Sequence, residues 1–234
     1  MVQRYLKHES LADPERATLD ARIGQWASRL SDLSWFMRCL NAPIARPANS
    51  EDGCTGHFWE GRFKSQALLD DTALLTAMAY VDLNPIRAGI TDTPLDSEFT
   101  SIRQRLDELA QRKDLARIGR NADTPVLLSF LGTQRQDSPG DISFNLQDYF
   151  DLIDTTGRVV RADQRGAIAD QQPTLLATLG VAPEEWFKTV TQRQSRFERF
   201  VGAPHHLRSI ADNRGWRWAR GRAAARRLYA KANA

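Results

Sequence analysis

Apolar residues recur along this chain at two different periods. Leu19, Ile23, Trp26, Leu30, Leu33, Met37, Leu40 and Ile44 follow one another at steps of four and three. That spacing puts all eight on one face of a helix. Pro14 stands near its predicted start, and Pro43 and Pro47 are expected to end it. Such a stripe serves as a coiled-coil seam or as the packed face of a helix in its own domain. With no second heptad segment in the chain, the second reading is preferred. Turn formers follow: Pro47, Asn49, Ser50, Asp52, Gly53 and Gly56. Then Phe63, Ser65 and Ala67 alternate with Arg62, Lys64 and Gln66, which predicts a short strand within 57–69. Asp70-Asp71-Thr72 supplies cap chemistry for a helix over 72–84. Its expected apolar stripe is Leu74, Leu75, Met78 and Val81, and Pro85 is expected to stop it.

A further helix is predicted over 98–112, with Phe99, Ile102, Leu106 and Leu109 on one side. Residues 113–140 lose periodicity, and Gly132–Gly140 has the composition of a linker or exposed loop. Residues 141–234 read as mostly helical, with breaks expected at Thr155-Thr-Gly157, Gln172-Pro173 and Gly202-Ala-Pro204. Leu175 to Trp186 reads as helix, glycine stop, proline in the next first turn, helix. Two packed helices and part of a helix-turn-helix are both compatible with it. The expected fold is mainly α, organised as 1–112, a linker 113–140, and a helical region 141–234 ending in a basic tail 207–234.

Composition narrows the class. The chain has 234 residues, 41% hydrophobic and 26% charged, ordinary for a globular protein. No apolar run approaches the ~18–20 residues of a membrane span. The first residues, Met1-Val-Gln-Arg-Tyr-Leu-Lys, lack the apolar core of a secretion signal. Cys39 and Cys54 are too few for a disulfide scaffold and form no paired zinc motif. A reduced, cytoplasmic protein without a membrane role is expected. The net charge of +3 conceals an asymmetry. Residues 207–234 hold eight bases against one acid, Asp212, while the first 206 carry 24 bases against 28 acids. A basic end on a mildly acidic body suits an anionic partner; a solvated arginine-rich helix is the plainer account.

The helix over 72–84 carries the candidate chemistry. Tyr80 falls nearly opposite the expected apolar stripe, and Asn84 lies one turn further on the same side. Ala73, Thr76 and Ala77 leave small side chains around them. A phenol beside an amide oxygen suits a nucleophile with a ligand for a hard metal ion. It equally describes a tyrosine packed on another helix and an asparagine that ends its own.

Two segments bear on that choice: Trp59-Glu-Gly-Arg-Phe-Lys-Ser65 and Tyr80-Val-Asp-Leu-Asn-Pro-Ile-Arg-Ala-Gly89. Together they resemble the single-tyrosine transposases of the HUH type, including the REP-associated tyrosine transposases. The shared pattern is Trp-x-x-Arg-Phe/Tyr, then a helix ending Tyr-x-x-x-Asn-Pro-x-Arg/Lys-x-Gly. The resemblance covers roughly residues 1–110, and Ser34-Trp-Phe-Met-Arg38 fits its longer members. Phe144-Asn-Leu-Gln-Asp-Tyr and Ala203-Pro-His-His-Leu look like the C-terminal extension of those members. It implies an α-rich remnant of an α+β catalytic domain followed by a helical C-terminal region.

The resemblance also implies roles. Tyr80 falls at the nucleophile that attacks a DNA phosphodiester and holds a 5′-phosphotyrosine. Asn84 falls at a residue that helps bind Mg²⁺ or Mn²⁺, which would polarise the phosphate. Arg62, Lys64 and Arg87 flank the motifs as candidate phosphate contacts, or as solvated charge. Arg217 and Arg220 are further candidates for DNA contact. Trp216 and Trp218 between them suit base stacking in single-stranded DNA, or helix packing. The family's other metal ligands form a His-hydrophobic-His motif on an earlier strand. The histidines here are His8, His57, His205 and His206, and no two flank a single hydrophobic residue. His205 and His206 are adjacent, so their side chains are expected to diverge. The chain is therefore expected to be truncated, wrongly started, or one piece of a split gene. On that reading it binds no metal alone and is catalytically incomplete. The expected partner is single-stranded or hairpin DNA. The alternatives are a non-catalytic DNA-binding derivative of such an enzyme and a helical interaction protein. Target sequence and oligomeric state are not encoded legibly.

Overall fold

The computed structural model describes residues 1–112, 127–131, 140–162 and 174–230. The protein is mainly helical. It divides into two compact units, Met1–Lys64 and Ser65–Ala234.

The first unit opens with a short helix, α1 (Val2–Leu6), tied to the next by Arg4. Its guanidinium donates to Glu15 at 3.0 Å and to the Ser10 carbonyl at 2.6 Å. The single helix expected over the 19–44 stripe is two helices, α2 (Asp13–Leu30) and α3 (Leu33–Glu51). The break has a local cause. Asp32 is extended, and its carboxylate accepts from the backbone N–H groups of Ser34 and Trp35. It thus caps α3 where the stripe alone ran on. Pro43 and Pro47 do not end α3; both lie inside it and are exposed. The carbonyls that lose an N–H partner there face water rather than a core. Trp59 of the first motif lies in the irregular segment after α3 and donates to the Asn41 carbonyl at 3.3 Å. Of this unit's hydrophobic side chains, Leu19 alone is buried.

The second unit holds the core. The strand expected within 57–69 shortens to β1 (Ala67–Leu68). It is followed by α4 (Asp71–Asp82), α5 (Asn84–Arg87) and α6 (Ser101–Arg112). As expected, α4 ends just before Pro85. That proline occupies the first turn of α5, where a missing N–H costs nothing, and the i→i−4 pattern continues from Leu83 N–H to Ala79 and from Arg87 N–H to Leu83. Phe99 is no part of α6. It is fully exposed with a positive φ of 62°, and Thr100 caps the helix behind it.

Most of the segment expected as a linker, 113–140, lies outside the described residues. Within it Phe130–Leu131 forms β2, parallel to β3 (Ile142–Asn145), and Phe130 is buried. Then come α7 (Leu146–Ala162), α8 (Thr174–Thr178), α9 (Pro183–Arg196), β4 (Phe200–Val201), α10 (Pro204–Asn213) and α11 (Arg222–Leu228). The strands β1 and β4 pair in parallel. One core joins α4 and α5 to the elements after residue 140, through Leu75, Leu83, Tyr149, Trp186 and Leu207. Within the second unit, the described residues on both sides of 113–140 therefore share one core.

The break expected at Thr155-Thr-Gly157 is absent, because α7 runs straight through it. Gly157 instead permits a close helix crossing. A Cβ there would stand 3.3 Å from Leu83 Cδ2 and 3.5 Å from Ile86 Cδ1. The break expected at Gln172-Pro173 lies outside the described residues, while Gly202-Ala-Pro204 does separate β4 from α10. The helix-stop-helix reading of Leu175–Trp186 holds. Gly180 has a φ of 62°, and Val181 N–H reaches back to the Leu176 carbonyl. Both α8 and α9 are packed inward, by Leu175, Leu176, Trp186 and Val190.

Candidate functional site

The inward face of α4 is not the predicted one. Thr72, Ala73, Leu75, Thr76, Ala79 and Asp82 are buried, and Val81 is 59% exposed. The buried face is rotated by roughly 100° from the expected stripe. Small residues explain it. Ala73, Thr76 and Ala79 let neighbouring helices approach closely, so the face that looked uncrowded is the one that packs. Leu74 and Met78 are half-buried. Apolar cover on most of its circumference left the helix's orientation undetermined by hydrophobicity.

Tyr80 therefore lies at the margin of this face, half-buried rather than projecting. Because α5 continues the helical course, residues 80, 84 and 87 fall at i, i+4 and i+7 on one stripe. The guanidinium of Arg87 lies over the Tyr80 ring at 4.4 Å from its centre. One guanidinium nitrogen, Nη1, is buried and has no hydrogen-bond partner. A charged donor without a hydrogen-bond partner favours an incoming anion. The sequence pairs Tyr80 with Asn84; the contact that the fold makes is between Tyr80 and Arg87.

Asn84 is exposed and begins α5 instead of ending a helix. It offers one neutral oxygen, and the next charged group on its stripe is a cation. That donor set does not fit a divalent metal. Among the described residues no group of three His, Cys, Asp or Glu side chains is placed to hold a metal ion. His205 and His206 do not diverge; their ring centres are 4.0 Å apart. Nδ1 of His206 is 3.2 Å from Asp70. Arg62 and Lys64 are exposed in the first unit, and Arg217 and Arg220 are exposed in the second.

Two acids give this helix its position: half-buried Asp70, expected from sequence as its cap, and buried Asp82, which sequence did not single out. Asp82, inside the Tyr80–Gly89 motif, is wholly buried. It accepts from Ser101 Oγ at 2.9 Å, from Ile102 N–H at 3.3 Å and from the Tyr149 hydroxyl at 2.6 Å. It thereby caps α6 and fastens α7. Burial pushes the Tyr149 phenol well above its ordinary range, and the Asp82 carboxylate adds to this. Arg105 is buried nearby, its guanidinium 4.7 Å over the Phe130 ring; burial lowers its pKa, which Tyr149 and Asp82 oppose.

Asp70 holds the other end. One oxygen accepts from Ala73 N–H at 2.8 Å, capping α4, and from the Tyr229 hydroxyl at 2.8 Å. The other accepts from Ala203 N–H at 2.6 Å and faces His206. The Ala203-Pro-His-His segment is thus fastened to the start of the helix that carries Tyr80. Burial first, and Asp70 second, push the Tyr229 phenol up. The signal for Asp82 was present: it falls on the same helical face as Leu75 and Ala79, where an acid must find donors.

Among the described residues no helix is long and apolar enough to cross a membrane. No protein-family model, curated protein or solved structure matches this chain.

Proposed function

We propose that the chain is a transposase-like DNA-binding protein whose phosphate-binding face is formed by Tyr80, Asn84 and Arg87. The observation that carries this reading is the buried, unpartnered Nη1 of Arg87 above the Tyr80 ring, within a segment whose sequence resembles the nucleophile helix of single-tyrosine transposases. A phosphodiester seated there would satisfy the guanidinium and lie beside the phenol. In the family that the sequence resembles, the tyrosine at this position cuts and rejoins single-stranded DNA. Here the donor set does not fit the divalent ion that assists the cut, so the proposed activity of this chain is binding. Asp70 and Asp82 position the face and touch no substrate.

The test is binding of a fluorescein-labelled single-stranded DNA hairpin, followed by anisotropy across salt concentrations. Phosphate contacts predict an affinity that falls steeply with salt. Undetectable binding at low salt would favour a helical interaction protein instead. Nicking of that hairpin with Mg²⁺ or Mn²⁺, abolished in Tyr80→Phe, would contradict the binding-only reading and restore the enzyme.

A further inference from the structure

A second surface, between β4 and α11, has the composition of a stacking platform. Trp218 is 64% exposed and Trp216 38% exposed, although indoles ordinarily bury most of their area. Both line a groove together with Phe200, Arg199 and Arg220. The Trp216 ring lies 6.1 Å from Phe200, and the Arg214 guanidinium sits 5.2 Å and 5.5 Å from the two ring centres. Arg217, between the tryptophans, is exposed.

The backbone holds this arrangement in place. At the end of α10, Gly215 adopts a φ of 66° and Trp216 N–H donates to the Ala211 carbonyl at 2.8 Å. Ala219 is buried just beyond Trp218. Gly221, with a φ of 93°, starts α11, and a Cβ there would stand 2.8 Å from the Phe197 ring. Glu198 lies 3.9 Å from Arg220, an exposed pair of little strength.

We infer that this groove binds single-stranded DNA by stacking unpaired bases on Trp216 and Trp218 while the surrounding arginines take the phosphates. Flat aromatic faces interleaved with guanidinium groups match a polyanion that displays unpaired bases. A duplex hides its base faces, and an acidic peptide offers no flat rings for the indoles. The inference deepens the DNA-binding reading above and adds a site that the Tyr80 face does not include.

The probe is fluorescein-labelled dT12 with the full chain. Trp218→Ala is expected to weaken binding about tenfold, Trp218→Phe to retain most of it, and Arg220→Gln to lower the salt dependence. Trp218 is exposed, so its substitution leaves the fold intact, which far-UV circular dichroism checks. Equal affinity of Trp218→Ala and wild type for dT12 overturns the inference, as does binding of a proline-rich peptide without binding of dT12. The two readings fail separately. Hairpin binding that survives Trp218→Ala but is lost in Arg87→Gln removes the groove and leaves the Tyr80 face. Binding of dT12 that survives Arg87→Gln and is lost in Trp218→Ala upholds the groove on its own.

Discussion

The two units spend their apolar residues differently. In Met1–Lys64 the helical stripe forms as helix, yet Trp26, Leu30, Leu33, Phe36, Leu40 and Ile44 are all exposed, and Leu19 is the one buried hydrophobic side chain. In Ser65–Ala234 a shorter and less regular pattern builds a continuous core. Periodicity thus specifies that a helix forms and which residues share a face. It does not specify that the face is covered. Coverage in the second unit comes from small residues that allow close crossings, Ala79 and Gly157, and from two acids, buried Asp82 and half-buried Asp70, that fasten elements distant in sequence. Asp70 reaches Tyr229 and Asp82 reaches Tyr149, and nothing of that kind is present among the exposed hydrogen bonds of the first unit.

Substitutions break this contrast in a graded order. The largest effect is expected for Asp82→Ala, which strands the Tyr149 hydroxyl, the Ser101 hydroxyl and the cap of α6 in a buried setting, and removes one of the acids near Arg105. A loss of about 3 kcal/mol or more in urea unfolding, followed by circular dichroism, is the expected outcome. Gly202→Ala comes next. A Cβ there would lie 2.8 Å from Leu69 Cβ and 2.9 Å from Asp70 Oδ2, so it forces apart the β1–β4 pair and disturbs the Asp70 bonds. Overpacking of this kind costs about 2 kcal/mol in the same measurement.

Alkali sharpens the contrast next. A phenol with a raised pKa holds its proton more tightly folded than unfolded. Its contribution is complete below the unfolded value near ~10 and is lost as pH rises through the folded value. Tyr149 and Tyr229 both follow this rule, and both belong to the second unit. Both are expected to ionise only as the protein unfolds above about pH 10, read as a phase in ultraviolet absorbance. Tyr149→Phe should remove part of that phase. The smallest effect is expected in the first unit, where Leu40→Ala should change unfolding by under about 0.5 kcal/mol because the side chain is exposed. A cost of several kcal/mol there would mean that the stripe is covered in solution.

The sequence was legible where local chemistry decides the outcome. The Asp70 cap, the glycine stop at Gly180 and the mainly helical class are all local matters. It was silent where tertiary partners decide. The apolar circumference of α4 gave no preferred face until α9 and α7 packed against it, so the inward face turned out to be that of Ala79 and Asp82. The reading of Pro43 and Pro47 as helix ends failed because each lost N–H falls at an exposed turn, whereas α4 does end just before Pro85. For the candidate site, sequence placed Tyr80 and Asn84 on one side and Arg87 only as a flanking cation. It did not foresee that Arg87 would lie over the phenol with a buried, unpartnered nitrogen, and it left Trp218 open between base stacking and helix packing.

The most direct test of the Tyr80–Arg87 face is the slope of hairpin-DNA affinity against salt, measured for the wild-type chain and for Arg87→Gln. If Arg87 holds a phosphate, the variant binds more weakly at low salt and its logarithmic slope is shallower by about 0.7 to 1, one contact's worth. If the two chains give the same affinity and the same slope, Arg87 carries no phosphate and the account of this face is wrong.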